Sequence, residues 1–384
     1  MNKKLAQIEG LRGIAAFVVL LNHIRFTFFI DITDRIESKY GKVIATIAEA
    51  LFDGNFSVWL FWIMSAFVLS IRFYTEKDRV LSHSIVTDAA VRRYPRLLLP
   101  VTVSVLFAWI LHSLGFMTNI DLSNFFGDQY KQWLGSFYLF KPNLLSALNS
   151  SIWETFFSYN PYTSYNRVLW TMKIELYGSF FLFSLLLLIG KHSSRLFFYL
   201  IITTVLYKLS AHWLNSFVIG MMICDSYVHQ HLIRQRLPIY INKVLSYLIN
   251  SKIFAILMIF FLLYMIGLPN IAGVLHLFLA AILTGYATVS SPVKALLSVR
   301  PLVFLGKISF GLYLVHLPLI CATAFPLYTN LIKIFVSPSV TVFFSSFLLV
   351  ILSIIAGWCL WFIADRPSII FSRIISDRFR TDRP

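Results

Sequence analysis

IEGLRGIAAFVVLLNHIRFTFFI, residues 8–30, is the stretch whose reading decides the fold. It is apolar for long enough to cross a bilayer, which takes about 20 residues. Yet it holds Glu9 and Arg12 near its start and Asn22 and His23 inside it. An ionisable group at membrane depth costs about 3 kcal/mol, so its presence needs a reason. Arg12 and His23 are eleven positions apart. At about 100° per residue this returns both to one helix face, with a rise of about 16 Å. Arg12 then sits at the cytosolic rim and His23 past the midplane. Glu9, three residues before Arg12, is within pairing distance on that face. A snorkelling arginine and a packing histidine would also fit. A histidine at that depth, however, is by default a functional residue.

The same texture extends through the chain. Of 384 residues, 58% are hydrophobic and 13% charged, and the mean hydropathy is +0.76. Soluble domains of this length are not so apolar. The expectation is an all-α, polytopic membrane helix bundle with about ten transmembrane helices. They lie near 11–30, 52–73, 97–117, 169–189, 196–211, 213–229, 252–268, 272–289, 302–327 and 340–364. The chain reads as one membrane domain, 1–384, with short tails and an outward loop over about 118–168.

Basic residues concentrate on alternate loops and both tails: Lys3 and Lys4 first, Arg72, Lys77, Arg79, Arg92, Arg93 and Arg96 next, and Arg366 to Arg383 at the end. That asymmetry puts both termini in the cytosol. The net charge of +16 then reads as positive-inside bias and contact with anionic headgroups, and no nucleic-acid partner is expected. Cys224, Cys321 and Cys359 lie in separate apolar segments without metal-ligand spacing, so neither a disulfide framework nor a metal site is expected. The first apolar run is too long for a signal peptide and reads as a retained helix.

Two other spans bring titratable groups to the depth of His23. LWTMKIELYGSF, residues 169–180, carries Glu175, and FLGKISFGLYLVHLPL, residues 304–319, carries His316. Counted from their ends, both lie about 9 Å below the outer surface. Tyr313 shares a face with His316, and Ser309 is a further turn toward the cytosol. Interhelical hydrogen bonding alone would also use such residues, but three ionisable groups in one layer favour a functional site. VRRYPRLLLP, residues 91–100, adds Arg92, Arg93 and Arg96 at the cytosolic start of a span. Arginine's planar fork suits phosphate oxygens, although positive-inside bias also explains the cluster. Nucleotide-binding glycine loops, HExxH and GxSxG are missing.

Taken in order, these blocks resemble the acyltransferase-3 family of integral membrane O-acyltransferases. The likeness rests on IEGLRGIAAFVVLLNH at 8–23 and FLGKISFGLYLVHLPL at 304–319, the two most specific blocks. FWIMSAFVLS at 61–70, RRYPRLLLP at 92–100, LWTMKIELYGSF at 169–180 and ADRPSI at 364–369 support it, with Ala66, Thr171 and Asp365 departing from the family pattern and one extra residue before Pro100. The resemblance implies a ten-helix enzyme. Its donor is cytosolic acyl-CoA, usually acetyl-CoA, and its acceptor a hydroxyl of a surface or lipid-linked glycan. The expected location is a bacterial inner membrane.

Acyl transfer to an alcohol needs a base near the attacking hydroxyl and donors for the developing oxyanion. His23 is the expected base, or the group that first takes the acyl chain. Glu175 would orient an imidazole, and Arg12 would help position the donor. Arg92, Arg93 and Arg96 would hold CoA phosphates. His316, Tyr313, Ser309 and Trp170 would line the acceptor side. The outward loop is rich in aromatics, among them Trp133, which suit sugar rings and membrane interfaces equally. The rival reading is a proton-coupled transporter of a glycolipid or small acid, using the same buried histidine and glutamate. It has no need of phosphate-binding arginines.

Overall fold

The computed structural model describes residues 5–268 and 273–381; Lys3, Lys4 and Arg383 lie outside them. Every regular element among the described residues is helical. Among the described residues, six helices are long and apolar enough to cross a membrane. They are α1 (Ala6–Phe28), α2 (Gly54–Thr75), α3 (Arg79–Ser113), α4 (Trp170–Ile189, led by a turn from Arg167), and later Arg300–Phe335 and Pro338–Leu360. Two further pairs, Ile239–Asn250 with Lys252–Ile266 and Val274–Val289 with Ser291–Leu297, bend by 71° and 96° and raise the number of crossings to eight if each pair is one span.

The expected count of ten differs in the middle of the chain. The segments read as the fifth and sixth spans form α5 (Arg195–Lys208) and α6 (His212–Val228), of 14 and 17 residues. At about 1.5 Å per residue neither reaches the roughly 30 Å of a hydrocarbon core. The next two segments form helices of 15 and 16 residues and count as crossings only with their bent partners. Elsewhere the helices outrun the reading. α3 covers 35 residues with Pro95 and Pro100 inside it. Arg300–Phe335 covers 36 with Pro318 and Pro326 inside it. The last span continues beyond Leu360 through a π turn, Trp361–Asp365, into Arg366–Thr381.

The surface is apolar and the interior carries hydroxyls. Leu200, Ile253 and Phe343 are more than 60% exposed, whereas Ser70, Ser104, Ser179, Ser309 and Ser353 are buried. A soluble protein sorts these residues the other way. In lipid, apolar surface meets apolar solvent and small or hydroxyl side chains let helices approach.

The helices group into two compact units. One is built from Met1–Ala15, Lys42–Arg93 and Ile174–Lys307, the other from Ala16–Gly41, Tyr94–Lys173 and Ile308–Pro384. In the first, α2 packs on α6 and on Val274–Val289. There the glycines of the two most specific blocks meet. A Cβ on Gly306 would stand 1.9 Å from the Glu9 carbonyl oxygen, and one on Gly13 would stand 2.6 Å from the Gly306 nitrogen. The two backbones touch, which only glycine permits.

In the second unit, prolines set the packing. Proline lacks the N–H that would bond the carbonyl four residues back. Pro318 thus orphans the Leu314 carbonyl, which accepts instead from Ser104 Oγ at 2.8 Å and Asn166 Nδ2 at 2.6 Å. Pro326 likewise orphans Ala322, whose carbonyl accepts from Thr118 Oγ1 at 3.3 Å. Outside donors of this kind are what make proline tolerable in a membrane helix.

Candidate active site

In the second unit α1 places His23, half-buried, against His316 of Arg300–Phe335. His23 Nδ1 lies 2.7 Å from His316 Nε2. His316 is 1% exposed, and its Nδ1 lies 3.0 Å from the Leu312 carbonyl oxygen. The two histidines expected in one layer are therefore in direct contact. Tyr313 packs beside them, its ring 6.0 Å from that of His316. Its hydroxyl donates to the Val168 carbonyl at 2.9 Å and lies 3.0 Å from Thr171 Oγ1. Ser309 is buried and Trp170 exposed.

Trp133 stacks on His23, with ring centroids 5.3 Å apart and planes 8° from parallel. Sequence reasoning assigned no site in its loop. The loop is held by side-chain contacts. Arg167 donates to Ser136 Oγ at 3.1 Å and to the Ser136 carbonyl at 2.7 Å, and its guanidinium lies 4.2 Å over the Phe137 ring. Phe137 in turn meets Trp133 edge-on at 4.9 Å. The signal was present: residues 132–157 contain apolar pieces too short to span, as re-entrant segments do.

Two of the loop phenols are structural donors. Tyr138 donates to the Tyr165 carbonyl at 2.8 Å, and Tyr159 to the Arg167 carbonyl at 3.0 Å. Burial pushes both phenols above their ordinary range, so they stay protonated at neutral pH.

The first unit holds a second polar cluster, on α2, α3 and α4. The Arg93 guanidinium pairs with Glu175 Oε1, to which Ser65 Oγ also donates. Arg93 Nε donates to Ser179 Oγ at 2.7 Å, and Ser179 Oγ donates to the Glu175 carbonyl at 2.5 Å. Both charged side chains are less than 15% exposed. Sequence reading placed Arg93 in a cytosolic loop and Glu175 near the outer face. The structure corrects this, because α3 begins at Arg79 and carries Arg93 inside the helix, level with Glu175. The span was expected to begin at about residue 97, and the helix starts 18 residues earlier and runs through both Pro95 and Pro100. Glu175 was expected to orient an imidazole. Its carboxylate partners are Arg93 and Ser65, and the imidazole partner of His23 is His316. Ser65 and Ser179 escaped notice because a serine in an apolar run carries no signal of its own.

Arg92 Nε donates to the Asp88 carbonyl at 3.0 Å, within its own helix. Arg12 Nη1 lies 3.9 Å from Glu9 Oε1, with both side chains partly exposed, so the pair is loose. In the second unit, Arg96 Nη1 reaches Asp365 Oδ1 at 2.6 Å and Ser368 Oγ at 2.5 Å. All three arginines of the RRYPR segment thus have partners, two of them carboxylates. Among the described residues, no three His, Cys, Asp or Glu side chains gather as metal ligands.

A family model described as an acyltransferase domain matches residues 5–361. Among curated proteins, an O-acetyltransferase from Phomopsis amygdali, PaAT-1, is 24% identical over 247 residues, covering 57% of this chain and 48% of that protein. The chain therefore spans about half the length of that relative. No solved structure matches the chain.

Proposed function

The chain belongs to the acyltransferase family whose model spans residues 5–361, and from that premise we propose that it is a membrane O-acyltransferase. It moves an acetyl group from cytosolic acetyl-CoA to a hydroxyl of a surface or lipid-linked glycan in a bacterial inner membrane. The observation that carries this reading is the His23–His316 contact beneath Trp133. It sets a half-buried imidazole in a helix long and apolar enough to cross a membrane, in a chain from an acyltransferase family.

His23 takes the proton of the acceptor hydroxyl as its oxygen attacks the thioester carbonyl carbon. The C–S bond then breaks and the CoA thiolate receives the proton. A base so placed contributes about 10²–10⁴-fold. Trp133, Tyr313, Ser309 and Trp170 line the acceptor side, where a flat aromatic face suits the apolar face of a sugar ring. Arg92, Arg93 and Arg96 receive the phosphates of the donor, with Arg12 helping to place it. In this reading Glu175 acts through Arg93, holding its guanidinium in place, and Asp365 does the same for Arg96.

The test is purified protein in lipid nanodiscs with acetyl-CoA and a lipid-linked glycan extract. CoA release coupled to glycan acetylation is expected, and His23→Ala should abolish it. Equal turnover by His23→Ala at equal protein would overturn the assignment of the base. Proton-coupled glycolipid flux without acetyl-CoA consumption would overturn the enzyme reading in favour of transport.

A further inference from the structure

We infer that His316 is a positioning residue that fixes the tautomer and the ring plane of His23, so that His23 presents an unprotonated Nε2 to the acceptor hydroxyl. The inference rests on the reading of His23 as the base. The argument follows the protons. A carbonyl oxygen only accepts, so the 3.0 Å contact between His316 Nδ1 and the Leu312 carbonyl puts a proton on Nδ1. A neutral imidazole carries one N–H, which leaves His316 Nε2 with a lone pair. The 2.7 Å contact to His23 Nδ1 then needs its proton from His23. His23 is thereby the Nδ1–H tautomer, and the lone pair that can take a proton lies on Nε2.

The chain is fixed at its far end. His316 is fully buried, and its helix is held two residues away, where Ser104 and Asn166 both bond the Leu314 carbonyl that Pro318 leaves free. His23 is fixed from its other face by the near-parallel Trp133 ring, and its own turn is tied by Thr27 Oγ1, which donates to the His23 carbonyl at 2.7 Å. In hydrolytic triads a carboxylate sets the histidine tautomer and steadies its charged form. Here a neutral imidazole does the first task. It supplies a directional acceptor without placing a second charge in the apolar layer, where a carboxylate would be costly.

Two variants separate this from a packing role. His316→Leu keeps bulk and removes the acceptor, and His316→Gln offers an amide oxygen near the position of Nε2. The probe is imidazole ¹⁵N spectroscopy of the full-length protein in nanodiscs, with His23 assigned from the His23→Ala spectrum, alongside turnover of acetyl-CoA with a lipid-linked glycan extract. The expected result is an Nδ1-protonated His23 in the wild type and in His316→Gln, and loss of that form in His316→Leu. The turnover number falls about a hundredfold in His316→Leu with the KM for acetyl-CoA unchanged, and recovers to within about tenfold in His316→Gln. An Nδ1-protonated His23 persisting in His316→Leu overturns the inference, as does an unchanged turnover number in that variant. Full turnover by His23→Ala sinks the reading of His23 itself. Inactive His23→Ala with fully active His316→Leu sinks only the role of His316.

Discussion

Arg96 Nη1 lies 2.6 Å from Asp365 Oδ1, joining α3 to the π turn within the last span, across 269 positions of sequence. Asp365 is 7% exposed at its side chain and Arg96 27%. Removing one partner strands a largely buried charge, which costs on the order of 3 kcal/mol. Arg96→Ala, which leaves the Asp365 carboxylate unpaired, is therefore expected to lower stability in micelle unfolding by that order. If Arg96 also holds donor phosphate, Asp365→Asn should raise the KM for acetyl-CoA several-fold more than it lowers the turnover number. An unchanged KM in a folded Asp365→Asn protein would leave the pair a structural tie.

The Arg93–Glu175 pair asks the same question more sharply, because Ser65 and Ser179 complete it. Glu175→Gln is expected to destabilise by roughly 3 kcal/mol, since Arg93 keeps its charge and loses its counter-charge. Replacing both residues with methionine removes the unpaired charge and should recover most of that stability. Activity should not return with it, because the guanidinium proposed to face the donor is gone. Recovery of transfer by the double variant, measured as acetyl-CoA turnover, would reduce the cluster to packing.

How much of this was legible follows the type of signal. The apolar runs gave a helical membrane protein, and the spacing of Arg12, His23 and His316 gave the right helices for the histidine pair. Periodicity could not show that α5 and α6 stop short of a full crossing, because a short apolar run reads alike whether it spans or packs. Nor could it show that Pro95 leaves α3 intact. A proline's effect depends on donors elsewhere, and the Ser104, Thr118 and Asn166 side chains that satisfy the orphaned carbonyls of Arg300–Phe335 are distant in sequence. Trp133 was hidden for the same reason: an aromatic loop residue shows its partner only when folded.

Trp133 is expected to matter through its face. Trp133→Phe keeps a ring against His23 and should retain turnover within about threefold, while Trp133→Ala should lose about tenfold, as one stacked aromatic contact contributes about 0.5–1.5 kcal/mol. Arg167→Ala removes the two bonds to Ser136 and the contact with Phe137. It should act like Trp133→Ala and raise amide exchange across residues 133–137. Normal turnover with raised exchange would separate loop order from catalysis.

Asn166 tests the proline argument. Its amide bonds both Ser104 Oγ and the Leu314 carbonyl, and it is 1% exposed. Asn166→Ala is expected to cost about 1–2 kcal/mol, the range for a buried acceptor that loses a partner. Ser104 still donates to that carbonyl, so the cost should stay below that of a wholly orphaned group. Pro318→Ala gives the helix back the N–H that bonds Leu314. In that background the amide of Asn166 is no longer needed at the carbonyl, and Asn166→Ala should become nearly neutral. A double-mutant cycle in micelle unfolding reads this directly. Coupling of about 1 kcal/mol is expected, and additive effects would mean that Asn166 stabilises the loop rather than the proline-broken turn.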